Sequence, residues 1–319
     1  MSAQGLGSRA IIGRFYNRLE IAQAASWSSQ IAMPFNSDQA SEEYKWLGQV
    51  PQLREWVGGR QPAGFRENGF TVRNKTWEGS LEVLVDEIRR DKTGQVQVRI
   101  NELADRAAGH EGSLISQLIL NGGGSTSGLC YDGQYFFDTD HTEGDNATNQ
   151  SNDITFDISD AGTGGTPTVP TARTMQAAIL AGVAAMLGIK DDKNEPMNEL
   201  ARNFMVMMGP SLMPYGLAAI QNPVLDSGAT NTIKNQSEFN IRPAINARLT
   251  SMTSSFVVFR TDGNTKPFIT QSEEGITVQA LAEGSEMETL NNKHFYGVKK
   301  IGNVAYGMWQ QACRVTLQA

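Results

Sequence analysis

Cysteine is nearly absent from this chain of 319 residues. Cys130 and Cys313 stand far apart and define no disulfide framework, so reduced thiols are expected. The three histidines, His110, His141 and His294, are equally scattered, and no zinc-ligand spacing exists. Long apolar runs are missing too. No window approaches the roughly 18 apolar residues of a membrane helix, and the first residues hold no stretch of signal-peptide length. The expectation is a chain that folds where it is made, with no membrane partner. A basic excess is also lacking: the net charge of −7 argues against a protein whose main work is gripping nucleic acid. There is no internal repeat and no heptad array. With 19% charged and 39% hydrophobic residues the chain reads as globular rather than disordered, long enough for one large or two modest domains.

Recognisable reaction chemistry is scarce. GGGSTSG (122–128) has no lysine after its glycines and is no phosphate loop. GTGGTP (162–167) places Pro167 where a dinucleotide fingerprint needs its third glycine, and no strand-turn-helix context surrounds it. His110 falls on a helical stripe, where a packed imidazole is the plainer reading. DTDHTEGD (138–145) sets His141 among Asp138, Asp140, Glu143 and Asp145, whose carboxylates could hold a hard cation through oxygen. The EF-hand pattern fails there, with Thr142 at loop position five and Glu143 at the glycine position, so a solvated acidic loop is expected instead. Met205, Met207, Met208 and Met213 read as irregular core filler. No nucleophile has a recognisable base. No catalytic, metal or cofactor site is expected.

What the chain does have is the stretch Tyr44–Glu78, YKWLGQVPQLREWVGGRQPAGFRENGFTVRNKTWE. It carries three of the five tryptophans, Trp46, Trp56 and Trp77, among glycines, prolines and charges of both signs. Tryptophan with arginine is the mix that anchors protein interfaces, and a tryptophan left in water wastes a large apolar surface. Covering by another copy of the chain is the reading that fits. The expected inter-subunit contacts are Trp46, Arg54, Glu55, Trp56, Arg60, Arg73, Lys75, Trp77 and Glu78. Mixed signs on such a projection set register more than affinity.

Around this stretch, apolar spacing predicts a helix over 13–25 behind a flexible arm, then an extended segment over 26–43 broken by Pro34. Alternation predicts a long hairpin over roughly 60–85. The strongest helical signal runs through Val96, Ile100, Leu103, Ala107, His110, Leu114 and Leu118, with Thr93 as N-cap and Gly122 to Gly124 as its stop. Gly109 and Gly112 weaken it by about 1 kcal/mol each relative to Ala. If continuous it is roughly 40 Å long. A second helix passes through Met175, Ile179, Gly182 and Met186 to Gly188. A buried strand at Phe204–Met208 leads into a helix at 212–221. Strands are expected at Val257–Phe259, Phe268–Ile269 and Ile276–Val278, and β structure over Phe295–Leu317.

YKWLGQVPQLREWVGGR (44–60) followed by NKTWEGSL (74–81) resembles the major head protein of Mu-like tailed phages. So do CYDGQYFFDTDH (130–141) and HFYGVKKIGNVAYGMWQQA (294–312), the latter through Gly297, Gly302, Gly307 and Trp309. The resemblance implies an α+β fold of the Hong Kong 97 capsid type. Its parts would be an N-terminal arm and helix (1–41), an extended loop (42–84), a peripheral domain (85–129 and 250–298, spine helix 93–121) and an axial domain (130–249 and 299–319). It implies a non-enzymatic virion protein, assembled in the bacterial host cytoplasm, whose partner is itself in the hexamers and pentamers of an icosahedral shell. A portal, decoration proteins and a separate scaffolding protein would join it, with packaged DNA as cargo that it does not bind specifically. The alternatives are another virion component, such as a decoration or tail protein, and a metal-dependent enzyme using the acidic loop 138–145.

Overall fold

A computed structural model describes residues 7–44, 70–90, 94–143, 146–159, 165–225 and 228–319. Helix α1 (Ser8–Ala24) starts earlier than the predicted 13–25, because Ile11 already joins the buried stripe with Phe15 and Leu19. Strand β1 (Ala32–Asn36) tolerates Pro34 because it is an edge strand, paired on one side only. Next come β2 (Ser41–Tyr44), β3 (Phe70–Arg73) and β4 (Lys75–Leu84). The predicted 60–85 hairpin is corrected here. β3 pairs with β2, and β4 pairs with a strand more than two hundred residues away, so the true stem joins 41–44 to 70–73.

The long helix is present as two consecutive helices, α2 (Gln95–Ala108) and α3 (His110–Asn121). The break at Gly109 is local. Its N–H still donates to the Asp105 carbonyl at 2.9 Å, and the Ser113 N–H donates to the Gly109 carbonyl at 3.0 Å. Thr93, the expected N-cap, lies outside the described residues. Gly94 stands at the cap with φ +76°, a left-handed conformation that glycine adopts without strain. α1 lies along α2, where Arg18 holds Asp105 through two bonds of 2.7 and 2.8 Å.

Beyond the helix pair the chain forms β5 (Asp153–Asp157), α4 (Ala172–Leu187), β6 (Asn203–Met208), α5 (Met213–Gln221), β7 (Asn240–Ile245) and β8 (Ser255–Arg260). It closes with β9 (Phe268–Leu281), β10 (Lys293–Tyr306) and β11 (Ala312–Gln318). α4 is capped by Thr171, whose hydroxyl accepts from the Thr174 N–H, and it stops at Gly188 as its sequence predicts. β9 merges two predicted strands. The polar stretch 272–275 that separated them is absorbed by register shifts against β10.

Two sheets organise these elements. One has the order β1-β9-β10-β4 and is covered by α1 and α2. The other has the order β7-β6-β8-β11-β5 and carries α4 and α5. The expected grouping put 250–298 with the long helix and 299–319 with 130–249. Strand pairing divides the chain differently, since β8 sits between β6 and β11 while β10 runs unbroken to Tyr306 beside β9. β6 is apolar on both faces because both are buried. Phe204, Val206 and Met208 face α4 and α5, whereas Met205 and Met207 face a second core shared with Ile115, Leu118, Phe268 and Trp309. That second core joins the two sheets. Met205, Met207 and Met208 are therefore core filler as expected, whereas Met213 is 40% exposed.

Candidate assembly surface

Both ends of the segment 45–69 leave from one place, since Tyr44 and Phe70 are directly paired across β2 and β3. The root beneath them is a buried polar knot. The Tyr44 hydroxyl donates to Gln271 Oε1 at 2.7 Å, and Gln271 Nε2 donates to Asn74 Oδ1 at 2.8 Å and to the Val72 carbonyl at 3.3 Å. Asn74 Nδ2 reaches the Gln39 carbonyl at 2.7 Å and Glu273 Oε2 at 3.0 Å, and Asn303 donates to the Arg73 carbonyl at 2.8 Å. Around the knot Met33, Val72, Ile269, Ala305 and Met308 form a small apolar cluster with Tyr44. A buried polar group costs stability unless it is bonded, and here the bonds join β2, β3 and β9 into one rigid base.

Burial, aided by the charge of Glu42, pushes the Tyr44 hydroxyl up to about 12. Unfolded tyrosine titrates near 10, so this group's stabilising contribution is complete below about pH 10 and is lost as pH rises through 12. The Tyr44→Phe variant is expected to lose one tyrosine from the late-ionising class in a spectrophotometric titration. An unchanged late class would show that Tyr44 does not form the knot.

The nine expected contact residues separate into two groups. Trp46, Arg54, Glu55, Trp56 and Arg60 lie outside the described residues. Arg73, Lys75 and Glu78 are exposed along the edge strands that lead from the root. Trp77 is half-buried and engaged within its own chain: its Nε1 donates to the Gly302 carbonyl at 2.9 Å, and its ring meets His110 edge to face at 4.6 Å. Burial, then the charge of Lys300, lowers the His110 pKa, with Glu111 opposing, which suits a packed neutral imidazole. Only the remaining face of Trp77 is free for a neighbour. Gln271 and Asn74, which brace the β2–β3 root, escaped the sequence reading because two mid-chain amides carry no pattern.

The acidic loop is solvated only in part: Asp140 is exposed and Asp138 half-buried, as expected, Asp145 lies outside the described residues, and His141 and Glu143 are buried. His141 is fully buried and its Nδ1 lies 2.6 Å from Asp132 Oδ2, with its ring stacked on Trp309 at 4.0 Å and 6°. Glu143, also buried, accepts from the Tyr131 hydroxyl at 2.6 Å and from Gln310 Nε2 at 2.7 Å. These groups are spent on one another and on the fold. Among the described residues no cluster of His, Cys, Asp or Glu is arranged to hold a metal ion, and no helix is long and apolar enough to cross a membrane. Burial pushes both thiols up: Cys313 to about 12, and Cys130, beside Asp132, well above its usual value.

A family model described as the Mu-like prophage major head subunit gpT matches residues 9–164 and 240–318, which is most of the chain. The chain belongs to this family. A Mu-like prophage FluMu major head subunit of Haemophilus influenzae is 38% identical over 144 residues, covering 45% of this chain and 46% of that protein. The major capsid protein of Escherichia phage Mu is 36% identical over 121 residues, 38% of this chain and 39% of its own. The chain thus spans less than half the length of each of these curated relatives. Among solved structures, the procapsid of bacteriophage JBD30 superimposes with a TM-score of 0.54 at 22% identity, over 98% of this chain and 75% of that one. The mature capsid of bacteriophage PhiM1 does so with a TM-score of 0.56 at 10% identity, over 92% and 87%. At such identities the likeness is one of fold. The mixed helix-and-sheet architecture is that of Hong Kong 97-type phage capsid subunits. Within the gpT family match, the gap over 165–239 corresponds to α4, β6 and α5.

Proposed function

We propose that this chain is the major structural subunit of an icosahedral tailed-phage head, a protein that works by self-assembly and catalyses nothing. The observation that carries the reading is the root: Tyr44, the buried amide of Gln271 and the half-buried Asn74 bond one another beneath the paired ends of a tryptophan-bearing segment. A base so braced is what a subunit needs to hold a projection against its neighbours. The family and the fold support the same reading. Each contact of roughly 800 Å² per partner is modest, and repetition around a closed shell of hexamers and pentamers makes the sum large. The partners on this reading are other copies of the chain, a separate scaffolding protein, a portal and decoration proteins, with DNA as unbound cargo. The cation-enzyme alternative loses its support, since His141 and Glu143 are committed to internal partners.

Electron microscopy of the full chain, expressed alone and with a scaffold, is expected to show shells. Trp56→Ala is expected to keep the far-ultraviolet circular dichroism of the unaltered subunit while abolishing them. Only monomers and small oligomers of the unaltered protein under every assembly condition would sink the proposal.

A further inference from the structure

Helix α3 ends against the second sheet, and one side chain holds the two together. Arg314 of β11 forks onto Asp153 of β5, with Nε donating to Oδ1 at 2.8 Å and Nη2 to Oδ2 at 2.5 Å. Its guanidinium carbon lies 5.0 Å from the centre of the Phe137 ring. Phe137 is itself tied to the helix end, since its N–H donates to the Gly122 carbonyl at 2.8 Å. The guanidinium also lies against Gly123, so closely that a Cβ there would stand 2.7 Å from Nη2 and 2.8 Å from Nη1. A cation therefore sits just past the C-terminal end of α3, the end whose dipole favours positive charge. Strand β5, the 130–143 loop and the end of the long helix meet on this one group.

The apolar core that joins the two sheets supplies buried area but no direction, because hydrophobic contact is non-directional. Direction comes from polar ties. One lies at mid-helix, where Asn246 Nδ2 donates to Ser116 Oγ at 2.9 Å. The contact of Arg314 with Gly123 is another, roughly 10 Å further along the chain's helical path. Two anchors separated along an axis fix its direction, whereas one leaves it free to swing. We infer that Arg314 is a positioning residue for assembly: it holds the end of α3 on β5 and β11, sets the angle between the two sheets, and thereby sets the curvature that each subunit imposes on the shell. This role rests on the head-subunit reading and adds to it the contact that governs shell size. A small spread of angle, repeated in every copy around a closed surface, becomes a spread of diameters.

Gly123→Ala tests this role without deleting any polar group. The backbone there accepts alanine, since its φ is not positive, but the new Cβ must push the guanidinium aside. Nitroxide labels on Val98→Cys of α2 and Gln221→Cys of α5 report the distance between the two halves in the unassembled full chain. Both sites are exposed, while Cys130 and Cys313 are buried and stay unlabelled. In Gly123→Ala, and in Arg314→Lys, which keeps the charge but cannot fork, the distance distribution should be about twice as wide as in the labelled parent. Shells of the unlabelled variants should show mixed diameters in electron micrographs where the unaltered protein gives one. A width equal to the parent's, even with a lowered urea midpoint, makes Arg314 an ordinary structural ion pair and overturns the assignment. A widened distance with shells of a single diameter overturns it too, since the angle would not govern curvature. Failure of the unaltered protein to form shells sinks the head-subunit reading, whereas the distance measurement judges the clamp by itself.

Discussion

Replacing Trp309 with alanine is expected to lower the unfolding free energy of the unassembled subunit by about 3–5 kcal/mol in a urea titration. Trp309 is fully buried in the core that joins the two sheets, and its ring is the stacking partner of His141. Its main-chain carbonyl accepts from Asn152, which also bonds the Phe136 carbonyl, so the same turn ties the 130–143 loop to β11. Alanine removes the largest fully buried side chain among the described residues and uncovers the Asp132–His141 pair beneath it. With typical domain stabilities of about 5–15 kcal/mol, such a loss threatens folding at growth temperature. Trp309→Phe, which keeps an apolar ring, should lose clearly less. A loss under about 1.5 kcal/mol for the alanine variant would mean that the core closes over the gap and that the stack contributes little.

Gln271→Leu should act differently, loosening one part of the subunit and leaving the rest intact. Leucine has a similar bulk but deprives Tyr44 of its acceptor and Val72 and Asn74 of their donor. Each orphaned buried group costs about 1–3 kcal/mol, and the cheapest relief is for the β2–β3 stem to lift off the sheet. Hydrogen exchange of the amides in 41–44 and 70–73 is expected to accelerate at least about a hundredfold, while amides of β6 and β8 keep their protection. Assembly should fall with the stem. Unchanged exchange in 41–44 would show that the knot is not what fixes the root.

The sequence revealed those elements whose signal is local. α4 declared itself through its apolar stripe and Gly188, and β6 through an unbroken apolar run that only a strand buried on both faces requires. The C-terminal pattern was visible because its residues have little freedom. Gly302 approaches the Gln271 carbonyl so closely that a Cβ would sit 2.3 Å from it, and Trp309 has no alternative site. What stayed hidden depends on distant partners. The pairing of β2 with β3 rather than β3 with β4 is reinforced by the knot at Gln271, which lies 199 residues from Val72 of the hairpin stem. His141 and Glu143 read as solvated because burial of a polar side chain is a property of the neighbours that surround it, here Trp309, Tyr131 and Gln310. On the candidate surface, the residue types were legible but the positions were not. Trp77 stood out by composition, yet only the fold shows its indole already bonded to Gly302.

The pairing of Tyr44 with Phe70 also bears on how such a subunit can change over time. A segment whose two ends are pinned side by side can gain or lose residues at little thermodynamic penalty, about 0.6 kcal/mol for each doubling of length. On the proposed head-subunit reading, the segment can therefore drift in length, or be deliberately extended with a foreign peptide, while the two sheets beneath stay as they are.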